Sequence, residues 1–375
     1  MARFDDPSEF AAQGIGTRAI HAGQEPEPIT GAVMTPVFQT STYAQPAPAE
    51  WPWEYSRTHN PTRTALQKCI ASLEGGAHGV CFSSGMAAID TAIRLLPPGS
   101  HVLCGDDVYG GTYRLFTKCW QPLGYRFTFV DTTNPHLVVP DDVDMVWVES
   151  PTNPLLKVTD IARLAEKAHA VGAKVVVDNT FATPVFQQPL KLGADIVVHS
   201  TTKYINGHSD VVGGVLVTSD DTLHEQMCFL QNSVGAVPGP WDCFLQLRGL
   251  KTLHLRMERH QSSAKALVAW LKERDDVGVV HYPGFSGMVS FELKGDIAAA
   301  TRFVKATRVF TLAESLGGVE SLIELPAVMT HASVPPEVRA EIGLPDGLIR
   351  LSIGVENLED LKADLQRAFL AAANG

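Results

Sequence analysis

The stretch "AKVVVDNTFATPVFQQPLKLGADIVVHSTTK", residues 173–203, holds two short apolar runs that each end on polar side chains. The first closes on Asp178, the second on Ser200, Thr202 and Lys203. Runs rich in valine and isoleucine suit strands. The 25 residues from Asp178 to Lys203 fit one strand-helix-strand step. In open α/β sheets, ligands bind beyond the carboxyl ends of the strands, so an acid and an amine are expected at one such edge. An ammonium at the end of a buried strand loses several kcal/mol of hydration unless it is paired or neutralised. Lys203 therefore calls for a partner.

The same texture extends outward. Runs at 79–83 ("GVCFS"), 100–105 ("SHVLCG"), 126–131 ("RFTFVD") and 144–150 ("DMVWVES") read as further strands. Amphipathic segments such as "DIARLAEKAHAVG" (160–172) lie between them. "NPTRTALQKCIASLEGG" (60–76) reads as a helix with Asn60 as cap, Pro61 in the first turn and Gly75 as stop. Strands alternating with helices predict an α/β domain on a largely parallel sheet. After residues 235–240 the texture changes. One long helical stretch is expected at 244–276, then strands in "VSFEL" and "LIRLSIG", then a closing helix in "NLEDLKADLQRAFLAA". These describe a smaller α+β domain. Residues 1–50 are rich in Pro, Gly, Gln and Thr without a sustained period, and a long irregular segment of this kind points to function or to intersubunit contact.

Bulk properties narrow the function. The chain has 375 residues, 45% hydrophobic and 19% charged, with a net charge of -11. That is globular composition, and its negative balance argues against a nucleic-acid partner. No apolar stretch reaches spanning length, so no membrane helix is expected. The opening "MARFDDPSEFAAQG" has no apolar core of a secretory signal. Six cysteines without CxxC pairs suit a reduced cytoplasm better than a disulfide framework or zinc. "GIGTRA" (14–19) lacks the third glycine of a dinucleotide site, and His199 and His208 lack partners at metal-ligand spacing.

Four strand ends carry chemistry: Asp178, Lys203, the small-residue turn "SSGMAA" (83–88) and Asn153 in "ESPTNP" (149–154). Singly, each has an ordinary reading as cap, turn former or solvent-seeking side chain. Together they match the needs of pyridoxal phosphate: a lysine for its aldehyde, a carboxylate for its pyridine nitrogen, and N–H and hydroxyl donors for its phosphate.

The sequence also resembles the Cys/Met-metabolism family of pyridoxal-phosphate enzymes. The likeness rests on separated motifs that include "EYSRTHNPTR" (54–63), "FSSGMAA" (82–88), "DDVYGGTYRLF" (106–116), "ESPTNP", "VDNTFATP" (177–184), "HSTTKYINGHSDVVGG" (199–214), "AESLGGVESLIELPAVMTHAS" (313–333) and "IRLSIGVE" (349–356). It implies fold type I, with an aspartate-aminotransferase-like sheet flanked by helices and a smaller C-terminal α+β domain. The implied division is an arm at 1–55 contacting a neighbouring subunit, a cofactor domain at 56–237 and a C-terminal domain at 238–375.

Carried onto these residues, the resemblance implies that Lys203 holds the cofactor and then serves as a base. Asp178 would pair with the pyridine nitrogen, and Asn153 would bond near the phenolic oxygen. Gly85, Met86, Ser200 and Thr202 would hold the phosphate, with Tyr109 stacked on the ring. Tyr55 and Arg57 would reach the phosphate of a neighbouring subunit, implying at least a dimer and, as is usual in the family, a tetramer. Arg350 would grip the substrate α-carboxylate, a task suited to a planar guanidinium, with Ser315 and Glu314 in the same pocket. Tyr109 would assist thiol departure, for which it is expected to ionise more easily than in water.

The implied substrate is a small sulfur-containing amino acid. "AESLGG" resembles cystathionine γ-enzymes rather than β-lyases. "ESLIELPAVMTHASV" with its Glu-Leu-Pro resembles γ-lyases more than enterobacterial-type γ-synthases, and Gly111 departs from the cysteine typical of methionine γ-lyases. The expectation is γ-elimination of L-cystathionine, ahead of γ-replacement on an O-acylhomoserine and then of methionine γ-cleavage or cystathionine β-cleavage. Connections before "EYSR" and within "HYPGFSGMVSFEL" (281–293) are short for the family.

Overall fold

The computed structural model describes residues 10, 12–48, 50, 53–332 and 334–373. The strands in chain order begin with β1 (His78–Phe82), β2 (His101–Gly105), β3 (Arg126–Val130) and β4 (Met145–Glu149). Next come β5 (Lys174–Asp178), β6 (Ile196–His199), β7 (Gly214–Thr218) and β8 (Val277–His281). The last are β9 (Met288–Leu293), β10 (Thr311–Leu312), β11 (Leu322–Glu324) and β12 (Leu348–Ser352). The chain divides into two compact units, residues 1–97 with 183–254 and residues 98–182 with 255–375. Part of the expected arm, at residues 1–9, 11, 49, 51 and 52, lies outside the described residues.

In the first unit, helix Pro61–Glu74 starts where the sequence indicates. The Asn60 side chain accepts from the N–H groups of Thr62 and Arg63, and Gly75 ends the helix at φ 74°, a left-handed conformation that suits glycine. Strands β1, β7 and β6 lie side by side and antiparallel, which departs from the parallel expectation. The reason is local: residues 200–213 turn the chain back on itself without a crossover helix, and antiparallel neighbours need none. Lys203 lies on that reversal. At its start, His199 Nε2 sits 2.5 Å from Glu74 Oε1, with both side chains almost fully buried.

In the second unit, β5, β4, β2 and β3 run parallel in that order. β2 and β4 are buried throughout, as parallel strands covered on both faces should be. A further sheet in the order β10-β11-β12-β9-β8 is antiparallel except between β10 and β11. Helices Leu253–Lys272, Ile297–Ala306 and Leu358–Ala373 contribute to its core, where Phe303 and Phe369 meet edge to face at 4.7 Å. The single helix expected at 244–276 is two, Pro240–Leu250 and Leu253–Lys272. A turn at Lys251–Thr252 parts them, following Gly249, a poor helix former. No described helix is long and apolar enough to cross a membrane, and the described residues hold no cluster that could bind a metal.

Two buried histidines make this unit sensitive to acid. Burial pushes His260 and His331 down to about 4. The unfolded chain takes up these protons near the ordinary histidine value, about 6.5, whereas the native state does so only near 4. Native stability is therefore intact above pH 6.5 and falls as the pH drops towards 4, by about 1.4 kcal/mol per pH unit for each histidine. Thermal melting of wild type and His260→Gln across pH 7.5 to 4.5 should show a shallower pH slope in the variant; equal slopes would contradict the assignment.

Candidate active site

The first unit supplies an anion cradle. Helix Gly85–Arg94 starts at Ser84, whose hydroxyl accepts from the N–H of Ala87 at 3.0 Å. The N–H groups of Gly85 and Met86 find no partner among the described residues. Bare N–H groups at a helix start bind anions through both hydrogen bonds and the helix dipole. The backbone is packed too closely there for side chains. A Cβ on Gly85 would lie 2.8 Å from Ser200 Cβ, and one on Gly214 would lie 2.2 Å from the Ser84 carbonyl oxygen. Ser200 thus sits over the first turn of the helix. Thr202 Oγ1 accepts from the Gly213 N–H at 2.9 Å and donates weakly to its carbonyl at 3.3 Å. The Lys203 N–H donates to the Ser200 carbonyl at 3.2 Å, which closes the tight turn bearing the amine.

In the second unit, Asp178 ends β5 and pairs in register with Glu149 at the end of β4. Asp178 Oδ1 accepts from the Thr180 N–H at 3.0 Å. Glu149 is buried, and both its oxygens accept from the Tyr109 N–H, at 3.0 and 2.9 Å. Burial, reinforced by neighbouring Asp178, pushes Glu149 well above the usual carboxylate range. The neutral form of Glu149 is thereby favoured, which eases the repulsion between the two neighbouring carboxyl groups.

Tyr109 is partly exposed, and burial of its phenol, opposed by Arg114, raises its pKa above 10. The chain's own environment thus favours the neutral phenol, and the expected ease of ionisation rests on the charge of the bound cofactor. Glu314, which is exposed, adds to the effect, while Arg350 works against it. Gly110 and Gly111 allow the turn. A Cβ on Gly110 would come within 2.3 Å of the Thr330 carbonyl oxygen, and one on Gly111 within 2.3 Å of the Tyr109 ring.

Arg350, in the middle of β12, is 2% exposed and pairs across the sheet with Glu324 of β11. Its Nη1 lies 2.9 Å from Glu324 Oε1 and donates to Asn153 Oδ1 at 3.0 Å; its Nη2 donates to the Ser315 carbonyl at 2.8 Å. Asn153 is buried, and with Oδ1 engaged its Nδ2 remains the donating end. Ser315 adopts φ 102°, a conformation side chains rarely take and one that gathers at functional sites. Its backbone carbonyl is what meets the arginine.

Tyr55 and Arg57 are both exposed, the guanidinium lies over the Tyr55 ring at 5.2 Å, and Arg57 Nε donates to Asn232 at 3.1 Å.

The fold is that of a pyridoxal-phosphate enzyme of fold type I. The chain matches the family described as Cys/Met metabolism PLP-dependent enzyme over residues 16–370, and it belongs to that family. It is 52% identical to cystathionine beta-lyase of Coxiella burnetii, over 94% of this chain and 97% of that protein. It is 51% identical to cystathionine gamma-lyase of Dictyostelium discoideum, over 94% and 97% respectively. The crystal structure of cystathionine gamma synthase from Xanthomonas oryzae pv. oryzae in complex with cystathionine superposes with a TM-score of 0.92, at 42% identity over 96% of this chain and 98% of that one.

The residues present fit the cofactor. Unpartnered N–H groups beside a glycine that leaves no room for a side chain suit a phosphate, and Asp178 suits a protonated pyridine. Ser84, Glu149, Glu324 and His331 receive no role from the sequence. Glu324 stands out there only as the acid of the Glu-Leu-Pro motif, and Glu149 leaves a signal, since "MVWVE" ends on an acid as "VVVD" does. Gly85→Ala should raise the dissociation constant for pyridoxal phosphate, titrated into cofactor-stripped protein, roughly tenfold, because overpacking costs about 1–3 kcal/mol. Unchanged affinity would argue against the cradle.

Proposed function

We propose that the protein cleaves L-cystathionine at its Cγ–S bond, giving L-cysteine, 2-oxobutanoate and ammonia. The observation that carries this reading is the anchoring of Arg350 by Glu324. The segment whose wording leans towards γ-lyases, "ESLIELPAVMTHAS", is the one that supplies the carboxylate behind Arg350, the residue proposed to grip the substrate carboxylate. Gly111 adds support, since a side chain there would displace the Tyr109 ring, which speaks against a methionine γ-lyase pattern.

Bound pyridoxal phosphate supplies an electron sink that makes the substrate Cα–H acidic. The chain's residues do the rest. Gly85 and Met86 N–H groups with Ser200 and Thr202 hydroxyls hold the phosphate. Asp178 keeps the pyridine nitrogen protonated, and Asn153 donates to the phenolic oxygen. Tyr109 covers the ring. Arg350 orients the α-amino acid by its carboxylate, with Ser315 and Glu314 beside it. The Lys203 amine, freed when the substrate amine takes its place, would take the Cα proton, and a second proton then leaves Cβ so that the γ-sulfur can depart. Because its environment favours the neutral phenol, Tyr109 acts as the acid that protonates the departing sulfur. The exposure of Tyr55 and Arg57 supports their service to a neighbouring subunit, with a tetramer as the assembly and the cytoplasm as the compartment.

Lys203→Ala should abolish both turnover and the visible absorbance of the lysine-linked cofactor; a yellow, active variant would overturn the assignment. With L-cystathionine alone, wild type should release cysteine and 2-oxobutanoate. Release of homocysteine and pyruvate would instead establish β-cleavage, the activity named for the Coxiella relative. Synthesis of cystathionine from an O-acylhomoserine and cysteine, with negligible cleavage, would establish γ-replacement. Tyr109→Phe should lower kcat by about 10²-fold, the usual worth of a positioned acid.

A further inference from the structure

Arg350 and Asn153 are joined twice over. Directly, Arg350 Nη1 donates to Asn153 Oδ1 at 3.0 Å. The second route runs through three other side chains. Glu324 Oε1 lies 2.9 Å from the same Nη1 and accepts from Thr330 Oγ1 at 2.7 Å. Thr330 Oγ1 in turn lies 3.0 Å from His331 Nδ1, and His331 Nε2 lies 2.9 Å from the backbone carbonyl of Asn153. The ring closes on the residue where it began. Glu324, His331, Arg350 and Asn153 are all at most 4% exposed, so these bonds face little competition from water.

The proton inventory makes Thr330 the critical link. A carbonyl only accepts, so His331 Nε2 must carry hydrogen. Burial and the adjacent Arg350 push His331 down to about 4, so the neutral imidazole is favoured and its Nδ1 can accept. Glu324, paired with a guanidinium, also accepts. Thr330 has one hydroxyl proton, which it gives to Glu324 at 2.7 Å or to His331 Nδ1 at 3.0 Å but not fully to both, and no methyl group can supply it. Glycine at position 110 is part of the same arrangement, because it lets the Tyr109 turn reach the Thr330 carbonyl.

We propose that Glu324, Thr330 and His331 are positioning residues that lock the substrate-carboxylate clamp, Arg350, to the cofactor contact, Asn153, so that the two move as one unit. The inference rests on the roles given to Arg350 and Asn153 under the proposed function. It goes further by assigning work to three residues that are not expected to touch the reacting atoms.

The experiment compares holoenzyme of wild type, Thr330→Val, Thr330→Ser, His331→Leu and the Thr330→Val/His331→Leu double variant. Two quantities are read: KM for whichever of L-cystathionine or an O-acylhomoserine the wild type turns over, and the visible absorbance maximum of the cofactor without substrate. Thr330→Val should raise KM about tenfold, as expected when buried polar groups lose a partner, and should also shift the absorbance maximum. Thr330→Ser, which restores the hydroxyl, should keep both near wild type. The double variant should be no worse than the worse single, because both cut one ring. A purely structural role would lower the melting temperature and leave both quantities in place, which would overturn the proposal. So would KM effects that multiply in the double variant, or a Thr330→Ser variant as impaired as Thr330→Val. The absorbance reading needs no substrate, so it tests the ring even if the reaction proves to be another of the family's.

Discussion

A guanidinium buried to 2% exposure beside a carboxylate buried to 1% constrains everything around it. Taking either charge from water alone costs several kcal/mol, and the pair is tolerable only with good geometry and further hydrogen bonds. Arg350 and Glu324 meet that demand by standing opposite each other on β12 and β11, where cross-strand neighbours are held close by the sheet. The remaining donors reach Asn153 and the strained Ser315 carbonyl. Ser290, the other register partner of Arg350, donates to the Pro154 carbonyl at 2.8 Å. The antiparallel sheet thus fixes both the clamp and the turn that carries Asn153.

The parallel strands of the second unit use charge differently. Glu149 and Asp178 are neighbours at two strand ends, and two anions there would repel. Burial eases this by favouring the neutral form of Glu149, which suits Asp178 to the pairing with a cationic pyridine proposed for it. Glu149 also holds the Tyr109 backbone. Burial likewise raises the pKa of the Tyr109 phenol, which supports the acid role proposed for it.

Much of this was legible from local pattern. Valine-rich runs marked β4, β5 and β6 to within two residues, and Asn60, Pro61 and Gly75 marked a helix at both ends. What stayed hidden depends on distance in sequence. β7, "GVLVT", pairs antiparallel with β1, which lies more than a hundred residues earlier, and no periodicity announces such a partner. Glu324 and His331 looked like ordinary members of a loop motif, because their meaning comes from Arg350 and from an Asn153 carbonyl 178 residues away.

The claim on which these roles converge is that the amine of Lys203, on the reversal between β6 and β7, is where the cofactor is held. Reduction of the holoenzyme with borohydride fixes the cofactor to the amine that carries it, and peptide mapping by mass spectrometry then locates the label. The label is expected on Lys203 alone; a label on any other lysine, or none, would contradict the account.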